Sequence, residues 1–253
     1  MFDLTGKTGL ITGGAGSIGL ASARLLREHG MRLALVDHDQ ASLARAVTAL
    51  GGGDDVMVLE ADVADEASVQ EYVAQTVARF GAIDFLFSNA GNFGTVAPIE
   101  TYPTDLFDAV YRVHVKGAFL AAKYAVPHMR KGGSIVITSS VAGLRGDPGV
   151  YAYITAKHAQ TGLMRVLAKE LAPRGIRVNT LNPGPVDNGF QKAVEDDLGT
   201  IIGRDATVFF DEIIPMGRHA RPEEIAQSVL YLASSQSSFT TGATLSVDGG
   251  MTI

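Results

Sequence analysis

The sequence contains no cysteine. This absence excludes disulfides, a thiol nucleophile and any zinc or iron–sulfur site built on cysteine ligands, and no other metal site is predicted. The chain also lacks an apolar run of about 18 residues or more, so we expect no membrane-spanning segment. Its formal net charge of -6 argues against a nucleic-acid partner, because phosphates attract a basic surface.

The N-terminus lacks a basic region followed by an apolar segment, so we expect no secretory signal and a cytoplasmic location. Hydrophobic residues make up 46% of the chain and charged residues 19%, as in ordinary globular proteins. The 253 residues contain no linker, low-complexity tract or short repeat. These features predict one domain over residues 1–253.

Short apolar runs alternate with longer stretches of helical character along the whole chain. The predicted strands are residues 8–12, 32–36, 56–60, 83–87, 134–138, 176–181 and 244–247. The predicted helices lie near residues 17–29, 40–50, 66–80, 104–130, 150–172 and 222–235. Strands that are apolar throughout are typical of parallel sheets buried on both faces. The alternation predicts a Rossmann-type, doubly wound α/β fold with a seven-stranded, mainly parallel sheet and helices on both faces.

Residues 185–221 interrupt this alternation with a long connection that carries several apolar patches. Connections of this length in compact α/β domains usually serve as lids or binding loops. An inserted surface helix without a binding role is the alternative.

A glycine-rich turn follows the first predicted strand and opens the first predicted helix. It reads Gly13-Gly14-Ala15-Gly16-Ser17-Ile18-Gly19. A turn without side chains lets backbone N–H groups and the helix N-terminus approach a pyrophosphate closely. The strand–turn–helix context therefore predicts a dinucleotide site rather than a tight turn without a ligand.

Asp37 ends the second predicted strand, where a carboxylate can bind the adenosine ribose and repel a 2′-phosphate. The glycine turn has no Arg or Lys to bind such a phosphate, so NAD is the predicted cofactor. The neighbouring His38 weakens this argument slightly, because an imidazole can carry charge. Asp62 is placed to meet the adenine, or else acts as a helix cap.

Tyr153 and Lys157 lie four residues apart in a predicted helix and therefore share one face, whereas Tyr151 points elsewhere. A phenol has a pKa of about 10, and we expect Lys157 and an oxidised nicotinamide to lower it. Tyr153 can then exchange a proton with an alcohol or ketone oxygen. Ser140, after the fifth predicted strand, can orient that oxygen, although the local pattern does not separate it from Ser139.

Taken together, these residues resemble the short-chain dehydrogenase/reductase family in its small single-domain form. Further matching motifs are Asn89-Ala90-Gly91, Tyr153-Ile154-Thr155-Ala156-Lys157, Pro183-Gly184, Thr241-Gly242 and Val247-Asp248-Gly249-Gly250. The resemblance runs over essentially the whole chain. It implies that Ser140, Tyr153 and Lys157 are catalytic, and its serine-to-tyrosine offset selects Ser140. It also implies that residues 188–214 form a variable substrate loop.

The predicted cofactor site comprises Gly13, Gly14, Gly16, Ser17, Ile18, Gly19, Asp37, Asp62, Val63, Asn89, Ala90, Gly91, Tyr153, Lys157, Pro183, Gly184, Val186 and Asn188. The predicted substrate residues are Ser140, Ala142, Tyr153, Phe93, Pro185 and Phe190. The residues expected to frame the pocket also include Val141, Leu144, Tyr151, Phe209 and Phe210. Their apolar character indicates a hydrophobic, cyclic or aromatic secondary alcohol or ketone.

Three residues depart from the family pattern. Ser17 stands at a usual glycine, and Asn188 stands where a threonine often contacts the cofactor. His114 replaces the catalytic-helix asparagine that is thought to hold a relay water. We hypothesise that His114 keeps the relay and titrates near neutrality, the alternative being a structural histidine.

The stretches 104–130 and 150–172 carry more apolar residues than one buried helix face requires, which indicates a partner surface. The resemblance implies a homotetramer, with a dimer as second choice. The predicted function is NAD-dependent hydride transfer between the nicotinamide and a secondary alcohol or ketone, with Tyr153 as general acid/base. The alternatives are a non-catalytic NAD-binding regulatory protein on the same fold and another reaction such as dehydration, epimerisation or enoyl reduction.

Overall fold

A computed structural model describes residues 2–253. Their strands form one sheet in the order β3-β2-β1-β4-β5-β6-β7, and every neighbouring pair is parallel. The strands are β1 (Thr8–Thr12), β2 (Arg32–Asp37), β3 (Val56–Glu60), β4 (Ile83–Ser88), β5 (Met129–Thr138), β6 (Arg177–Pro183) and β7 (Thr244–Val247). The prediction of a doubly wound, seven-stranded sheet is confirmed, and the sheet is parallel throughout.

The helices follow the strands in alternation, as the sequence predicts. They are α1 (Ser17–Glu28), α2 (Gln40–Leu50), α3 (Glu66–Phe80), α4 (Thr104–Tyr111), α5 (Gly117–Ala125), α6 (Tyr151–Leu171), α7 (Gly189–Ile202), α8 (Ala206–Ile213) and α9 (Pro222–Ala233). Asp39 and Asp65 cap α2 and α3 by accepting backbone N–H bonds from the first turn. No helix within residues 2–253 combines the length and apolarity needed to cross a membrane.

The predicted helix 104–130 is wrong in its C-terminal part. A π-helical turn, Arg112–Lys116, separates α4 from α5, and α5 ends at Ala125. A short 3₁₀ turn with Pro127 follows, and β5 begins at Met129 rather than at 134. Proline lacks the N–H that a helix interior requires, which explains why the helix does not continue.

Two apolar layers enclose the sheet. Residues of α1, α2 and α9 pack on one face, where Leu26, Leu43 and Val229 are fully buried. Residues of α3, α5 and α6 pack on the other face, with Val69 and Met164 fully buried. Each such side chain contributes roughly 1.5–3 kcal/mol by leaving water. Both layers fix the strand ends that carry the candidate site.

Strand order changes direction between β1 and β4, because β2 and β3 extend to one side of β1 and the later strands to the other. Open α/β sheets bind ligands in the crevice at the carboxyl ends of the strands at such a point. The connection 185–221 folds into α7 and α8, two helices that the sequence analysis treated as one long connection.

Candidate active site

The glycine turn between β1 and α1 is shaped by close backbone approaches. Gly13 has φ of 63°, a left-handed conformation that favours glycine. A Cβ on Gly14 would lie 2.9 Å from the Cβ of Leu35, and one on Gly19 would overlap the carbonyl oxygen of Gly13. Helix α1 begins after Gly16, which offers no side-chain cap, so its first N–H groups stay available to an anion.

A cleft of about 640 Å³ opens in front of this turn. It is lined by Gly13, Gly16, Ser17, Ile18, Asp37, His38, Ala61, Asp62, Val63, Asn89, Ala90, Gly91, Asn92, Val113, His114, Thr138, Tyr153, Lys157, Asn188 and Phe190. Most residues of the predicted cofactor site are therefore brought together. The lining does not include Gly14 and Gly19, which pack behind the turn, or Pro183, Gly184 and Val186, which line a neighbouring cavity.

Asp37 lies at the end of β2, directly beside the glycine turn. Its carboxylate accepts N–H bonds from Ala15 at 3.1 Å and from His38 at 2.9 Å, and its side chain is 12% exposed. Asp62 is exposed and accepts the Ala64 N–H at 2.8 Å, whereas the cap of α3 is Asp65. The helix-cap alternative for Asp62 is therefore wrong.

Asn89 joins the carboxyl ends of three strands. Its side-chain amide donates to the Gly13 carbonyl at 3.2 Å and accepts from the Thr138 hydroxyl at 3.1 Å. Its backbone N–H donates to the Thr12 hydroxyl at 3.1 Å. These bonds hold the Asn89–Gly91 backbone against the glycine turn, which supports a position beside the cofactor.

A second cavity, of about 400 Å³, meets the first. Both are lined by Ile18, Thr138, Tyr153, Asn188 and Phe190. The second cavity also contains every predicted substrate residue, namely Ser140, Ala142, Tyr153, Phe93, Pro185 and Phe190. Val141, Phe209 and Phe210 line it as expected, but Leu144 and Tyr151 do not, since Leu144 is solvent-exposed and Tyr151 packs on Tyr102.

Helices α7 and α8 close this second cavity. Their lining side chains are Phe190, Gln191, Val194, Leu198, Ile202, Phe209, Phe210 and Ile213. The N-cap residue of α7, Asn188, donates to the Ser17 hydroxyl of the glycine turn at 2.9 Å. The pair Arg145–Asp147 borders the cavity as a salt bridge of 3.1 Å. We call α7 and α8 the lid helices.

The structure distinguishes the two candidate serines. Ser139 is buried and donates its hydroxyl to the Lys157 carbonyl at 3.0 Å. Ser140 is partly exposed at the cavity wall, where its hydroxyl accepts the Ala142 N–H at 3.1 Å. The Asn182 amide fixes its carbonyl at 2.7 Å. Ser140 therefore has the hydroxyl that can face a ligand.

Tyr153 lies among three rings, with centroid distances of 5.3 Å to Phe93, 5.5 Å to His114 and 6.2 Å to Phe190. Desolvation raises the pKa of its hydroxyl to about 12, while a hydrogen bond with Ser140 acts in the opposite direction. The surrounding protein alone therefore does not lower this pKa, and the expected lowering would need the oxidised nicotinamide as well. The phenol is protonated at neutral pH.

Lys157 is 3% exposed, and its ammonium donates to the Thr138 carbonyl at 2.6 Å. The Nζ atom lies 5.2 Å from the centre of the Tyr153 ring. Burial lowers the pKa of Lys157 to about 7, because desolvation penalises the charged form. The predicted Tyr153/Lys157 pair is thus adjacent, at the junction of the two cavities.

His114 lies in the π-helical turn and is buried. Its Nε2 is within hydrogen-bond distance of the Asn92 backbone, 2.7 Å from the oxygen and 3.0 Å from the nitrogen. Burial and the nearby Lys157 hold its pKa well below the usual value. This lowering argues against the hypothesis that His114 titrates near neutrality, which stays a prediction.

His114 also occupies the space in front of Gly91, where any Cβ would overlap its ring. Its carbonyl accepts the Gln160 amide at 2.9 Å, and its Nδ1 has no partner among residues 2–253. These contacts give the structural alternative direct support. A role in a proton relay stays a prediction.

Thr138 is a site residue that sequence reasoning missed. Its carbonyl holds Lys157, its hydroxyl holds Asn89, and it lines both cavities. Its position at the last residue of a predicted parallel strand was the available signal, because such strand ends border the ligand crevice.

A family model described as enoyl-(acyl carrier protein) reductase matches residues 13–252. A 2,5-dichloro-2,5-cyclohexadiene-1,4-diol dehydrogenase from Sphingobium indicum is 40% identical over 257 residues, covering 100% of this chain and 99% of the relative. The chain belongs to the short-chain dehydrogenase/reductase family. This short-chain dehydrogenase/reductase is therefore an oxidoreductase that interconverts alcohols and ketones by hydride transfer to or from a nicotinamide cofactor.

Solved structures of the family superpose over the whole chain. The crystal structure of levodione reductase has a TM-score of 0.94 at 35% identity and covers 98% of both chains. A 3-ketoacyl-(acyl-carrier-protein) reductase from Brucella melitensis, complexed with NADH, has a TM-score of 0.89 at 30% identity, covering 99% of this chain and 100% of that one. The glycine turn and the uncapped start of α1 fit such a dinucleotide.

Proposed function

We propose that this protein is an NAD-dependent dehydrogenase and ketone reductase for small, apolar, cyclic secondary alcohols and ketones. The observation that carries the proposal is the position of Ser140, Tyr153 and Lys157. Tyr153 lines both the glycine-turn cleft and the apolar cavity, with Lys157 on the cleft side and Ser140 on the cavity side, so a carbon held in that cavity would face the cofactor cleft.

The choice of NAD rests on the charges around the cleft. The carboxylate of Asp37 borders the cleft at the end of β2, where the adenosine ribose of a dinucleotide would lie. Among the described residues that line the cleft, Lys157 is the one Lys or Arg, and it lies by Tyr153. A 2′-phosphate would therefore meet a carboxylate without a compensating cation.

Ser140 and Tyr153 divide the work at the reacting oxygen. The hydroxyl of Ser140 holds the substrate oxygen, and Tyr153 gives it a proton during ketone reduction or accepts one during alcohol oxidation. Because burial keeps the phenol protonated at neutral pH, Tyr153 is prepared for the reducing direction. Oxidation requires the phenolate, so it is favoured by rising pH and by added positive charge.

Lys157 supplies position and, when protonated, positive charge. Its ammonium, fixed by the Thr138 carbonyl, stays beside the Tyr153 ring and would reach the nicotinamide ribose. The nicotinamide, when bound, exchanges the hydride and in its oxidised form adds a positive charge that favours the phenolate. A pKa of about 7 for Lys157 leaves both protonation states accessible at physiological pH.

The shape and lining of the second cavity support a cyclic substrate. Phe93, Phe190, Phe209 and Phe210 line it with aliphatic side chains, so an apolar ring can be enclosed between aromatic faces. The diol dehydrogenase and levodione reductase that the chain is similar to carry names of ring alcohols and ketones. These names support the same substrate class for this protein.

The test follows the reduced-nicotinamide absorbance with NAD and NADP against cyclic, linear and acyl-thioester alcohols, ketones and enoyl compounds. We expect turnover with NAD and cyclic secondary alcohols, and a poor response to thioesters. Tight NADH binding without turnover of any compound would favour the non-catalytic alternative. Turnover limited to 3-oxoacyl or enoyl thioesters would replace the substrate class.

A homotetramer is part of the proposal, with a dimer as second choice. Helices α5 and α6 expose Phe119 and Val166, two large apolar side chains that a partner surface would cover. Sedimentation of a monomer at micromolar concentration would contradict both assemblies.

A further inference from the structure

A polar cluster, buried except for a carboxyl group that is 39% exposed, lines a separate pocket of about 570 Å³ behind the substrate cavity, outside the group of catalytic residues. It joins Glu195 of α7, Asp211 of α8 and His219 of the loop that follows α8. The Nε2 of His219 lies 2.6 Å from Glu195 Oε1, and its Nδ1 lies 2.8 Å from Asp211 Oδ1. The cluster therefore connects the two lid helices through one imidazole ring.

Glu195 is held by several hydrogen-bond partners. It is 6% exposed, and its Oε1 also accepts the Gln191 amide at 3.0 Å. Its Oε2 bonds the Thr207 hydroxyl, at the start of α8, at 2.5 Å. Both oxygens of this buried side chain are thus engaged, which fixes its position between α7 and α8.

His219 links the two acidic side chains. Both of its ring nitrogens lie within hydrogen-bond distance of a carboxyl oxygen, Nε2 of Glu195 and Nδ1 of Asp211, so the ring is held at two points. The lysine and arginines that line the same pocket pair with other residues, Lys192 with Asp196, and Arg218 and Arg221 with Glu224. His219 is therefore the residue that connects Glu195 with Asp211.

The same imidazole touches the wall of the substrate cavity. Its ring packs edge-on against Phe210, with a centroid distance of 6.2 Å and an interplanar angle of 85°. Phe210 lines the substrate cavity, as do Gln191 and Val194, which flank Glu195 on α7. A movement of the imidazole therefore changes the cavity, although the cluster does not reach Tyr153.

We propose that His219 is a positioning residue whose imidazole ring holds α7 and α8 together and so sets the shape of the substrate cavity. This inference rests on the proposed function, because it assigns the lid helices to substrate binding. Loss of the imidazole should loosen the lid helices and weaken substrate binding. The chemical step should change little, since the catalytic group lies directly after β5 and on α6.

The test compares His219→Ala and Glu195→Gln with His128→Ala, a control at an exposed histidine far along the chain from the lid. We expect both cluster variants to raise the KM for the alcohol about tenfold or more while kcat changes less than about threefold. The dissociation constant for NADH, measured by fluorescence titration, should stay within about twofold of the wild-type value. The control should match the wild type in all three.

Hydrogen exchange of the protein without substrate gives a readout that does not depend on turnover. We expect both cluster variants to accelerate exchange in α7 and α8 and to leave α1 unchanged. Unchanged exchange in the lid helices, or unchanged KM in an active enzyme, would overturn the inference. A wild-type protein that turns over no alcohol would overturn the proposed function instead, while the exchange result would still decide whether His219 holds the lid helices.

Discussion

The two cavities that meet at Tyr153 are walled in different ways. Backbone and glycine form much of the cofactor cleft, where Gly14 and Gly19 leave no room for a Cβ. Side chains of α7 and α8 close the substrate cavity, and the polar cluster around His219 joins those helices. Few substitutions are tolerated where backbone packs on backbone, whereas single side chains on the two lid helices can be replaced without moving the backbone. The cofactor site is therefore built for a ligand common to many enzymes, and the substrate site is built for a particular substrate.

The largest expected effect falls on the junction of the two regions. Replacing Tyr153 by Phe removes the hydroxyl that exchanges the proton, so we expect kcat to fall about 10³-fold. NADH affinity should stay within about threefold, because the ring and its packing remain. Steady-state kinetics and fluorescence titration measure the two effects. A variant that keeps more than about a tenth of the wild-type kcat would exclude Tyr153 as the acid/base.

A glycine exchange in each region tests the comparison directly. In Gly19→Ala the new Cβ overlaps the Gly13 carbonyl, so we expect the free energy of unfolding to fall by about 3 kcal/mol. Gly189, at the start of α7, has open space around the corresponding position. Gly189→Ala should change the same free energy by less than about 0.5 kcal/mol. Denaturant unfolding of both variants is the measurement, and equal losses would refute the contrast.

Burial of Lys157 makes stability depend on pH. Its pKa is about 7 in the folded chain against 10.5 as the ordinary value, so the folded state binds fewer protons between these values. The cost of burying the ammonium is complete below pH 7 and diminishes as pH rises towards 10.5. Relative to Lys157→Met, the wild type should therefore gain about 2–3 kcal/mol between about pH 6 and pH 9.

Thermal or denaturant unfolding of the cofactor-free proteins measures this gain. Lys123, which is exposed and paired with Glu66, provides the control variant Lys123→Met. The stability difference between that variant and the wild type should not rise with pH over the same range. A constant difference for Lys157→Met would show that its ammonium is not desolvated.

Asp37 tests whether a single side chain in the cofactor cleft selects NAD over NADP. Asp37→Ala should raise the KM for NAD about tenfold and improve the use of NADP, because it removes both a ribose contact and a repulsive charge. The neighbouring His38→Ala should leave the NAD/NADP ratio of kcat/KM within about twofold, since its side chain is 87% exposed. An unchanged ratio in Asp37→Ala would remove the carboxylate from cofactor selection.

The smallest effect is expected at His114. Its pKa lies well below the usual value, so the ring stays neutral through the physiological range. The pH–rate profiles of wild type and His114→Asn should therefore overlay near neutrality, with kcat/KM differing less than about threefold. A wild-type inflection near neutrality that vanishes in the variant would restore His114 as a titrating residue.

Much of the fold could be predicted because parallel strands buried on both faces are continuously apolar. All seven strands were found in this way, and the boundaries differ mainly where polar residues extend a strand, as in Met129–Thr138. The π-helical turn and the early end of α5 were missed, since helical periodicity runs on across both. The lid helices were missed because their short apolar patches do not form one long repeating face.

The part of the candidate site that could be predicted is the part in which the reactive residues lie a few positions apart in the sequence. Tyr153 and Lys157 share a helix face, and the structure places them together. The lowering of the Tyr153 pKa was predicted for Lys157 and an oxidised nicotinamide together and stays a prediction; what the sequence did not reveal is the desolvation that raises it, because the rings around Tyr153 come from distant segments, Phe93 and Phe190. The His219 cluster was missed for a similar reason, since positions 195, 211 and 219 follow no spacing that local sequence could reveal.

Five side chains line both cavities, and Asn188 ties the first turn of α7 to Ser17 in the glycine turn. A bound nicotinamide would therefore form part of the wall of the substrate cavity. An alcohol that bound before the dinucleotide would lack this part of its binding site, and an alcohol that bound after it would block the path by which the dinucleotide leaves. Turnover should accordingly follow a compulsory order, in which the dinucleotide enters first and departs last.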